Sequence, residues 1–593
     1  MALEKIPNPA PDIPDNGSDH TDSTAYDVEK GEPRRVVEGA TGEPDDAHEE
    51  VEAMDRGHMQ DLERGVSRGS INAGPRKEED GAAIERVNTR TSLRSTKSRL
   101  SRIATTLTSR SRKARLAPKP LPLTDLDNGI VGWESQDDAE MPLNFPERKK
   151  WFLISLLASI TFISPLASSM FAPGVSFMDK EFGNTSLILS SLCVSIFVLG
   201  YVIGPLVLAP LCEIYGRRYV LTGANIFFCV WQIGCALAPS LNTLIVFRFL
   251  AGIGGSGCIT IGGGVIADLF HPDRRGLASS IYSLGPLFGP VVGPVCGGFV
   301  AQRAGWRWVF WILLIASALV TIGIECFTTE TNPKVLMDRK TKRLRTKLNR
   351  PELISCYNSS GQVHTPAQII KIGMLRPLKM LFRSPIIFML SLYMSVVYGL
   401  LYLLFTTITN VFITVYHWQP ELCGLAYIGL GIGFMAGLIV VGKISDPTVV
   451  RMTKANDGVF EPEMRLPACI FFACFVPISF FVYGWTADKG VHWIVPIMGL
   501  IPFGFGMMGI FIPIQTYVID SFPEFAASGV AALTVSRSLF GAFLPLAGPK
   551  MYESLGLGWG NSTLGFVAIA LIPVPMLIFK FGGTIRKNHP VKL

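Results

Sequence analysis

A chain of 593 residues in which 49% are hydrophobic and only 17% are charged is too apolar for a soluble protein of this size. The net charge of +7 does not indicate a nucleic-acid partner, because the basic residues lie in an N-terminal segment and in loops beside apolar stretches. The 11 cysteines fall mostly inside apolar stretches and form no CxxC pair, so we expect no metal site, no disulfide framework and no cofactor. The composition predicts a membrane protein with a polar tail.

The first 146 residues contain no apolar run long enough to cross a bilayer and no cleavable signal, which predicts a cytosolic tail. Up to Glu85 this tail is rich in Asp, Glu, Gly and Pro, a composition that predicts disorder. Residues 86–119 then carry 11 Lys or Arg and no acid, interleaved with Ser and Thr. We expect this polybasic segment to be attracted to anionic lipid and to be released by phosphorylation. A solvated tail without a specific partner is the alternative.

From Trp151 onward, twelve apolar stretches each have about the 20 residues that a helical span needs. They predict an all-α membrane protein with two pseudo-symmetric six-helix bundles, 147–327 and 385–583. A basic cytosolic loop, 328–384, separates the bundles, and 584–593 form a short C-terminal tail. The basic residues concentrate in alternate loops, so the positive-inside rule predicts that both termini are cytosolic.

The two halves also echo each other in sequence. Asp268 ends the fourth span and Asp520 ends the tenth, and a Gly-Trp pair follows each at nearly the same interval. Two copies of one structural unit are how many secondary transporters achieve alternating access.

The fifth span contains the stretch GPLFGPVVGPVCGG, residues 285–298. Glycines recur every four residues and leave a stripe on which a second helix could pack closely. Prolines follow the glycines in step and remove backbone donors, so we expect the helix to bend. This spacing predicts a hinge with a docking face, and static helix packing is the alternative. The residues are Gly285, Gly289, Gly293 and Gly297 with Pro286, Pro290 and Pro294.

Three motifs resemble those of the major facilitator superfamily and occur in its order. The fifth-span residues Gly289, Gly293, Pro294, Gly297 and Gly298 resemble the antiporter signature of its exporters. The segment EIYGRR, 213–218, resembles the loop signature between spans two and three, and RFLAG, 248–252, resembles the fourth-span signature. In finer detail, PLCEIYGRRYVL and GWRWVFWI are similar to the fungal twelve-span drug:proton antiporters.

The resemblance implies a monomeric, proton-coupled exporter of small amphipathic or cationic compounds such as drugs, toxins, polyamines or secondary metabolites. A facilitator or importer of a small nutrient on the same fold is the alternative. We expect the plasma membrane, with the vacuolar membrane as the other possibility. An enzyme is not expected, because no cluster of His, Asp or Cys occurs at one membrane depth, and the absence of a GxxxxGK[ST] loop argues against an ATP-driven pump.

Charged residues at the cytosolic ends of the spans predict a gate of ion pairs. In the first half its members are Glu213, Gly216, Arg217, Arg218 and Asp268. In the second half we expect Asp446 with Asp520 as the counterpart. Such pairs would hold one side closed and separate as the halves rock.

Two arginines lie within spans, Arg248 in span four and Arg537 in span eleven, and no acid lies near the middle of any span. A charge inside a span is costly, so both are functional candidates, with pairing to backbone carbonyls or a neighbouring helix as the alternative. The acids available to carry a proton therefore lie toward the helix ends. We rank Asp520 first, because Arg537 on the next span could exchange partners with it.

Span seven presents an aromatic face with Tyr398, Tyr402 and Phe405 at helical spacing. This face predicts a substrate cavity that holds flat or cationic compounds by stacking and cation–π contacts, and helix packing is the alternative. Asn225 and Gln232 on span three invite the same two interpretations, with packing favoured.

Overall fold

The computed structural model describes residues 121–271, 274–357 and 365–588. The predicted disorder up to Glu85 and the polybasic segment 86–119 lie outside these residues, as do the last five of the C-terminal tail.

The first half consists of six helical spans separated by short turns. Their bounds are Glu147–Ser169 continued by Val175–Phe182 (span 1), Leu187–Tyr215 (span 2), Arg217–Ala236 (span 3), Leu241–Leu269 (span 4), Arg275–Arg303 (span 5) and Arg307–Phe327 (span 6).

The second half repeats this arrangement with more interrupted helices. Its spans are Pro385–Thr414 (span 7), Pro420–Cys423 with Ile428–Ala455 (span 8), Leu466–Ala473 with Phe475–Asp488 (span 9), Ile494–Gly499 with Ile501–Ser521 (span 10), Ala526–Phe543 with 548–555 (span 11) and 557–571 with Pro573–Asn588 (span 12).

Spans 11 and 12 belong to one unusually long helical run. Eleven segments of the described residues are apolar enough to cross a membrane, and the last of them, Ala526–Arg586, is 61 residues long. At about 1.5 Å per residue this run is roughly three times the thickness of a hydrocarbon core. Gly556 interrupts it with a φ of 71°. The stretches 526–555 and 557–586 on either side of Gly556 are each long enough to cross the membrane, so the run contains two spans and the predicted twelve-helix fold is confirmed.

Burial of the apolar residues distinguishes central from peripheral spans. In span 7, 72% of the apolar window is buried inside the bundle, whereas the figure for span 6 is 33%. Leu319 and Ile322 of span 6 are 65% and 61% exposed, as expected for side chains that face lipid. Span 7 is therefore a central helix, and its side chains meet other protein residues rather than the membrane.

Because consecutive spans run in opposite directions, the bundle has two ends. We call the end that carries Tyr215, Arg217 and the segment 328–384 the linker end, and the end that carries 183–186 and 415–419 the far end. The segment 328–384 contains a first linker helix, Pro333–Leu348, and a second linker helix, Pro366–Arg383.

The glycine stripe of span 5 packs on span 1, inside the first half. A Cβ atom on Gly285 would lie 2.9 Å from the backbone nitrogen of Phe162, and one on Gly297 would overlap the carbonyl oxygen of Met170. Gly298 instead faces the second half, because its Cβ would lie 2.9 Å from the carbonyl oxygen of Glu421. The predicted docking face is thus a contact between spans 1 and 5. Span 5 itself is one continuous helix through its three prolines.

Residues 121–146, which the sequence analysis assigns to the tail, instead fold against the linker. Strand β1, Ile130–Val131, pairs in parallel with strand β2, Ile354–Ser355. A small apolar cluster joins the two segments and consists of Val131, Trp133, Met141, Met337 and Leu353. The predicted boundary at 146 therefore needs correction, because these apolar residues are buried against a partner more than 190 positions away in the chain.

Substitution of Gly297 tests the contact between spans 1 and 5. We expect Gly297→Ala to lower the free energy of unfolding by about 1–3 kcal/mol, because the added methyl group overlaps backbone that cannot easily move. Gly263→Ala is the matched control, since its Cβ has no neighbour within 4 Å. Thermal unfolding of the purified protein in detergent measures both. Equal unfolding temperatures for the two variants would contradict this expectation and would show that spans 1 and 5 accommodate the added methyl group.

Candidate functional site

The two halves meet along two seams. In the first, Ser195 of span 2 donates a hydrogen bond to the carbonyl oxygen of Ala542 in span 11, at 2.7 Å. In the second, spans 5 and 8 approach so closely that a Cβ on Gly424 would overlap the carbonyl oxygen of Pro294. Small residues at both seams allow the backbones to approach.

Five side chains, which we call the central row, cross from one half to the other inside the bundle. Arg248 of span 4 donates to the carbonyl oxygen of Ser168 in span 1 at 3.2 Å. The Ser168 hydroxyl shares a hydrogen bond of 2.9 Å with the Tyr402 hydroxyl of span 7. The Tyr402 ring lies 5.2 Å from the Tyr398 ring, and Tyr398 lies 5.3 Å from the Arg537 guanidinium carbon of span 11. The row thus joins the two embedded arginines.

Arg248 is 1% exposed and is held by backbone and rings. It donates to the carbonyl oxygens of Ser168 and Val194, and its guanidinium carbon lies 5.1 Å from the Phe171 ring. Its Nε has no partner among the described residues. The structure therefore shows the carbonyl pairing that the sequence leaves open, and no carboxylate neutralises the charge within the described part of the chain.

Arg537 is surrounded by aromatic rings. Its guanidinium carbon lies 4.6 Å from the Phe511 ring of span 10 and 5.3 Å from Tyr398. Within the described ranges its Nε is buried without a partner, and no ion pair joins it to an acid. The predicted exchange with Asp520 does not occur in this structure, because Asp520 pairs with Arg465 at 2.9 Å.

The predicted aromatic face is only partly accessible. Tyr402 and Phe405 are buried, and Phe405 packs against Tyr427 with ring centroids 5.7 Å apart. Tyr398 is half-buried and lies beside Arg537. The face thus has one exposed member, while its other two residues belong to the core of the second half.

Asn225 and Gln232 do not join this face. Cys229, which lies between them on the same helical face of span 3, contacts Ser317 of span 6 at 3.2 Å. Asn225 and Gln232 are each 2% exposed, so we assign them to the packing between spans 3 and 6. Their predicted place in the cavity is corrected.

The predicted gate residues form ion pairs at the linker end. Arg217 pairs with Asp268 at 3.2 Å, and Arg465 pairs with both Asp446, at 3.0 Å, and Asp520, at 2.9 Å. Arg465 was not among the predicted gate residues, although it joins the two predicted carboxylates. It begins span 9 as Arg217 begins span 3, and this equivalence between the halves is the signal that could have identified it.

Two other predicted gate residues differ in their surroundings. Arg218 pairs with Glu325 of span 6 at 2.7 Å. Glu213 is exposed and forms no ion pair within 4.0 Å among the described residues, so the structure does not bring it into the cluster.

Gly216 allows the linker to reach the turn between spans 2 and 3. It adopts a φ of 100°, and a Cβ there would overlap the carboxylate of Glu330. Glu330 is buried and accepts hydrogen bonds from the backbone N–H groups of Arg217, at 2.7 Å, and of Thr331 and Asn332, at 3.0 Å each. No sequence motif marks Glu330, but its carboxylate fastens the linker to the gate.

A cleft of about 310 Å³, which we call the far cleft, lies between the halves toward the far end. Its polar lining includes Asp179, Ser190, Thr407, Asn410 and Glu553. Asp179 accepts hydrogen bonds from Asn184 and Ser190, at 2.7 Å each. Val194, whose carbonyl oxygen binds Arg248, also lines the cleft, so the cleft reaches one end of the central row.

The second linker helix covers the opposite end. It packs on span 2, where a Cβ on Gly373 would lie 2.5 Å from Pro210, and Arg376 lies 5.3 Å from the ring of Phe525 before span 11. The halves are therefore separated by a cleft at the far end and bridged by a helix at the linker end.

Replacing Arg217 or Arg537 by methionine distinguishes an arginine whose ion pair stabilises the fold from one whose unpaired charge destabilises it. We expect Arg217→Met to lower stability by about 1–2 kcal/mol, because it leaves the Asp268 carboxylate unpaired. Arg537→Met should keep or raise the unfolding temperature, because it removes a charge that has no carboxylate partner among the described residues. Thermal unfolding in detergent measures both variants. An equal loss for Arg537→Met would mean that this arginine serves the fold.

Comparison with known proteins agrees with this architecture. The family described as "Major Facilitator Superfamily" matches residues 157–545. The MFS-type transporter penM of Penicillium rubens is 49% identical over 462 residues, which cover 78% of this chain and 90% of that protein. The efflux pump radE of Floropilus chiversii is 42% identical, covering 80% and 88% of the two chains.

Among solved structures, the partially occluded inward-open xylose transporter XylE from E. coli superposes with a TM-score of 0.56 at 16% identity, over 73% of this chain and 98% of that chain. At this identity the likeness establishes the fold alone. The chain therefore belongs to the Major Facilitator Superfamily and is a multi-pass membrane transporter.

Proposed function

We propose that this transporter exports small amphipathic organic compounds in exchange for protons by alternating access. The observation that supports the proposal is the position of the central row, which lies between a cleft at one end of the bundle and ion pairs with a covering helix at the other. A compound held at the row would reach one side at a time. The relative named as an efflux pump and the fifth-span signature support the outward direction.

We further propose that the linker end faces the cytosol and that the protein lies in the plasma membrane, with the vacuolar membrane as the alternative. The first linker helix, PKVLMDRKTKRLRTKL, has seven basic residues and one acid. Such segments stay on the cytosolic side, which supports cytosolic termini.

Proton binding would act at the linker end. A protonated Asp520 or Asp268 would lose its attraction for Arg465 or Arg217, and this would favour the conformation in which the pairs are separated. The structure favours Asp268 over Asp520, which the sequence ranks first, because Arg465 retains Asp446 when Asp520 is neutral, whereas Arg217 has no second carboxylate partner among the described residues.

Facilitated diffusion is the second candidate function. The observation that favours it is that no carboxylate contacts the central row among the described residues, so the row itself has no group that would carry a proton at neutral pH.

Flux in inside-out vesicles tests the proposal. Export from the cell becomes uptake into inside-out vesicles, because the vesicle lumen corresponds to the outside of the cell. We therefore expect rhodamine 6G or a fluorescent organic acid to accumulate only when the lumen is made more acidic than the medium. Accumulation that ignores the gradient would replace antiport with facilitated diffusion. The same vesicles check orientation, because a tag beside Lys342 should react with an impermeant label in them and be protected in intact cells.

The linker-end pairs give a second test. We expect Asp268→Asn and Arg465→Gln to reduce flux at least about tenfold while the protein still reaches the membrane, because each removes an ion pair that holds one conformation. Glu352→Gln is the control, since it breaks an exposed pair with Arg350 outside the bundle. Normal flux in both gate variants would contradict the gate assignment.

A further inference from the structure

We propose that the central row binds an organic anion, with Arg537 as the principal partner of a carboxylate and Arg248 as a second positive charge behind it. The inference rests on the proposed export function and specifies that the exported compound is an acid. It decides between the substrate classes that the sequence leaves open, because it excludes a cation from the row.

The arginines at the linker end are paired with carboxylates, whereas the two arginines inside the bundle are not paired with any among the described residues. At the linker end Arg217, Arg218 and Arg465 each have a carboxylate within 3.2 Å. Arg248 and Arg537 have none in the described part of the chain, although both lie within spans, where a charge is costly. Two uncompensated positive charges attract an anion and repel a cation.

Unused hydrogen-bond donors accompany these charges. A guanidinium has five N–H groups in a planar fork that matches a carboxylate. Arg537 donates to no described residue, and its Nε is buried without a partner. Arg248 donates to Ser168 and Val194, but its Nε is likewise unpartnered. A bound carboxylate would supply the acceptor that Arg537 lacks.

The surroundings of Arg537 define the rest of the ligand. The ring of Tyr398 in span 7 lies 5.3 Å from the guanidinium carbon, and the ring of Phe511 in span 10 lies 4.6 Å from it. A compound with a flat apolar body could therefore contact these rings while its carboxylate meets the guanidinium. Tyr398 and Arg537 are both half-buried, in contrast to Tyr402, so this end of the row is the accessible one.

The far cleft carries the opposite charge. Asp179 and Glu553 line it, one from each half of the chain. An anion that leaves the row toward the far end moves from two guanidinium groups to two carboxylates. Asp179 and Glu553 repel an anion, so the far cleft does not retain one that has already left the row.

Binding of a matched series tests the inference on the purified full-length protein. The probes are 1-naphthoate, 1-naphthamide and 1-naphthylmethylamine, which share an aromatic body and differ in charge, and ligand-induced thermal stabilisation at neutral pH reports their affinities. We expect naphthoate to bind at least about tenfold more tightly than the amide, the gain typical of a charged hydrogen bond. The amine should bind most weakly.

Variants at Arg537 assign the preference to the row. Arg537→Gln should reduce the preference for naphthoate about tenfold, Arg537→Lys should restore part of it, and Arg537→Glu should reverse it toward the amine. Arg307→Gln is the control, because it removes a guanidinium that pairs with Glu181 at the far end and lies outside the row. Equal binding of the three probes, no binding of naphthoate at millimolar concentration, or an unchanged preference in Arg537→Gln would overturn the inference.

Flux separates this inference from the function on which it rests. In proteoliposomes we expect carboxyfluorescein to be transported in preference to rhodamine 123. Preference for rhodamine 123 would overturn the anion site and retain export. Flux of neither dye, with the naphthoate preference intact, would overturn export and retain the anion site.

Discussion

The cost of placing a charge in hydrocarbon organises this transporter. Across the described spans, the acids of the gate lie near the linker end and each paired acid meets an arginine, as in Arg217 with Asp268 and Arg465 with Asp520. Inside the bundle, the contacts of the two embedded guanidinium groups among the described residues are with carbonyl oxygens and aromatic rings. The linker end is therefore held by ion pairs, whereas the two arginines inside the bundle have no carboxylate partner in the described part of the chain, and this difference is the basis of the proposed anion site.

Both halves pair an arginine with an aspartate at the linker end, but the groups that surround this pair differ between the halves. In each half an arginine at the start of the third span meets an aspartate at the end of the fourth. In the second half Asp446 adds a further carboxylate to this pair, whereas its counterpart Glu213 forms no ion pair among the described residues. In the first half the linker acts instead, because Glu330 accepts the N–H of Arg217 beneath Gly216. The gate of the first half thus depends on a segment outside the bundle.

Hydropathy predicted the spans because the cost of an unpaired backbone group in lipid is local to each segment. The pairing of Arg217 with Asp268 was likewise predictable, since both lie at helix ends on the same side of the membrane. Helical spacing placed Asn225 and Gln232 on one face, but periodicity does not say which neighbour that face meets, and span 6 lies there.

The folding of residues 121–146 against the linker, through β1 and β2, was not predicted for a related reason. Its apolar residues are few and widely spaced, and they acquire a partner only when Trp133 reaches Tyr357, at 3.2 Å across 224 positions. Arg465 was missed although its equivalence to Arg217 in the first half was visible in the sequence. The prediction paired Asp446 with Asp520, and two carboxylates need the arginine that lies between them, 19 and 55 positions away.

The position of the central row at a seam links binding to the proposed conformational change. Spans 1 and 5 are fastened backbone to backbone along the glycine stripe, so they move together within the first half. The row leaves that half through the hydrogen bond between the hydroxyl groups of Ser168 and Tyr402. Rocking of the halves would separate spans 1 and 7 and change the distance between the two guanidinium groups. An anion held at Arg537, with Arg248 as the second charge behind it, would then bind the two conformations unequally, and unequal binding is the condition under which a ligand shifts a conformational equilibrium.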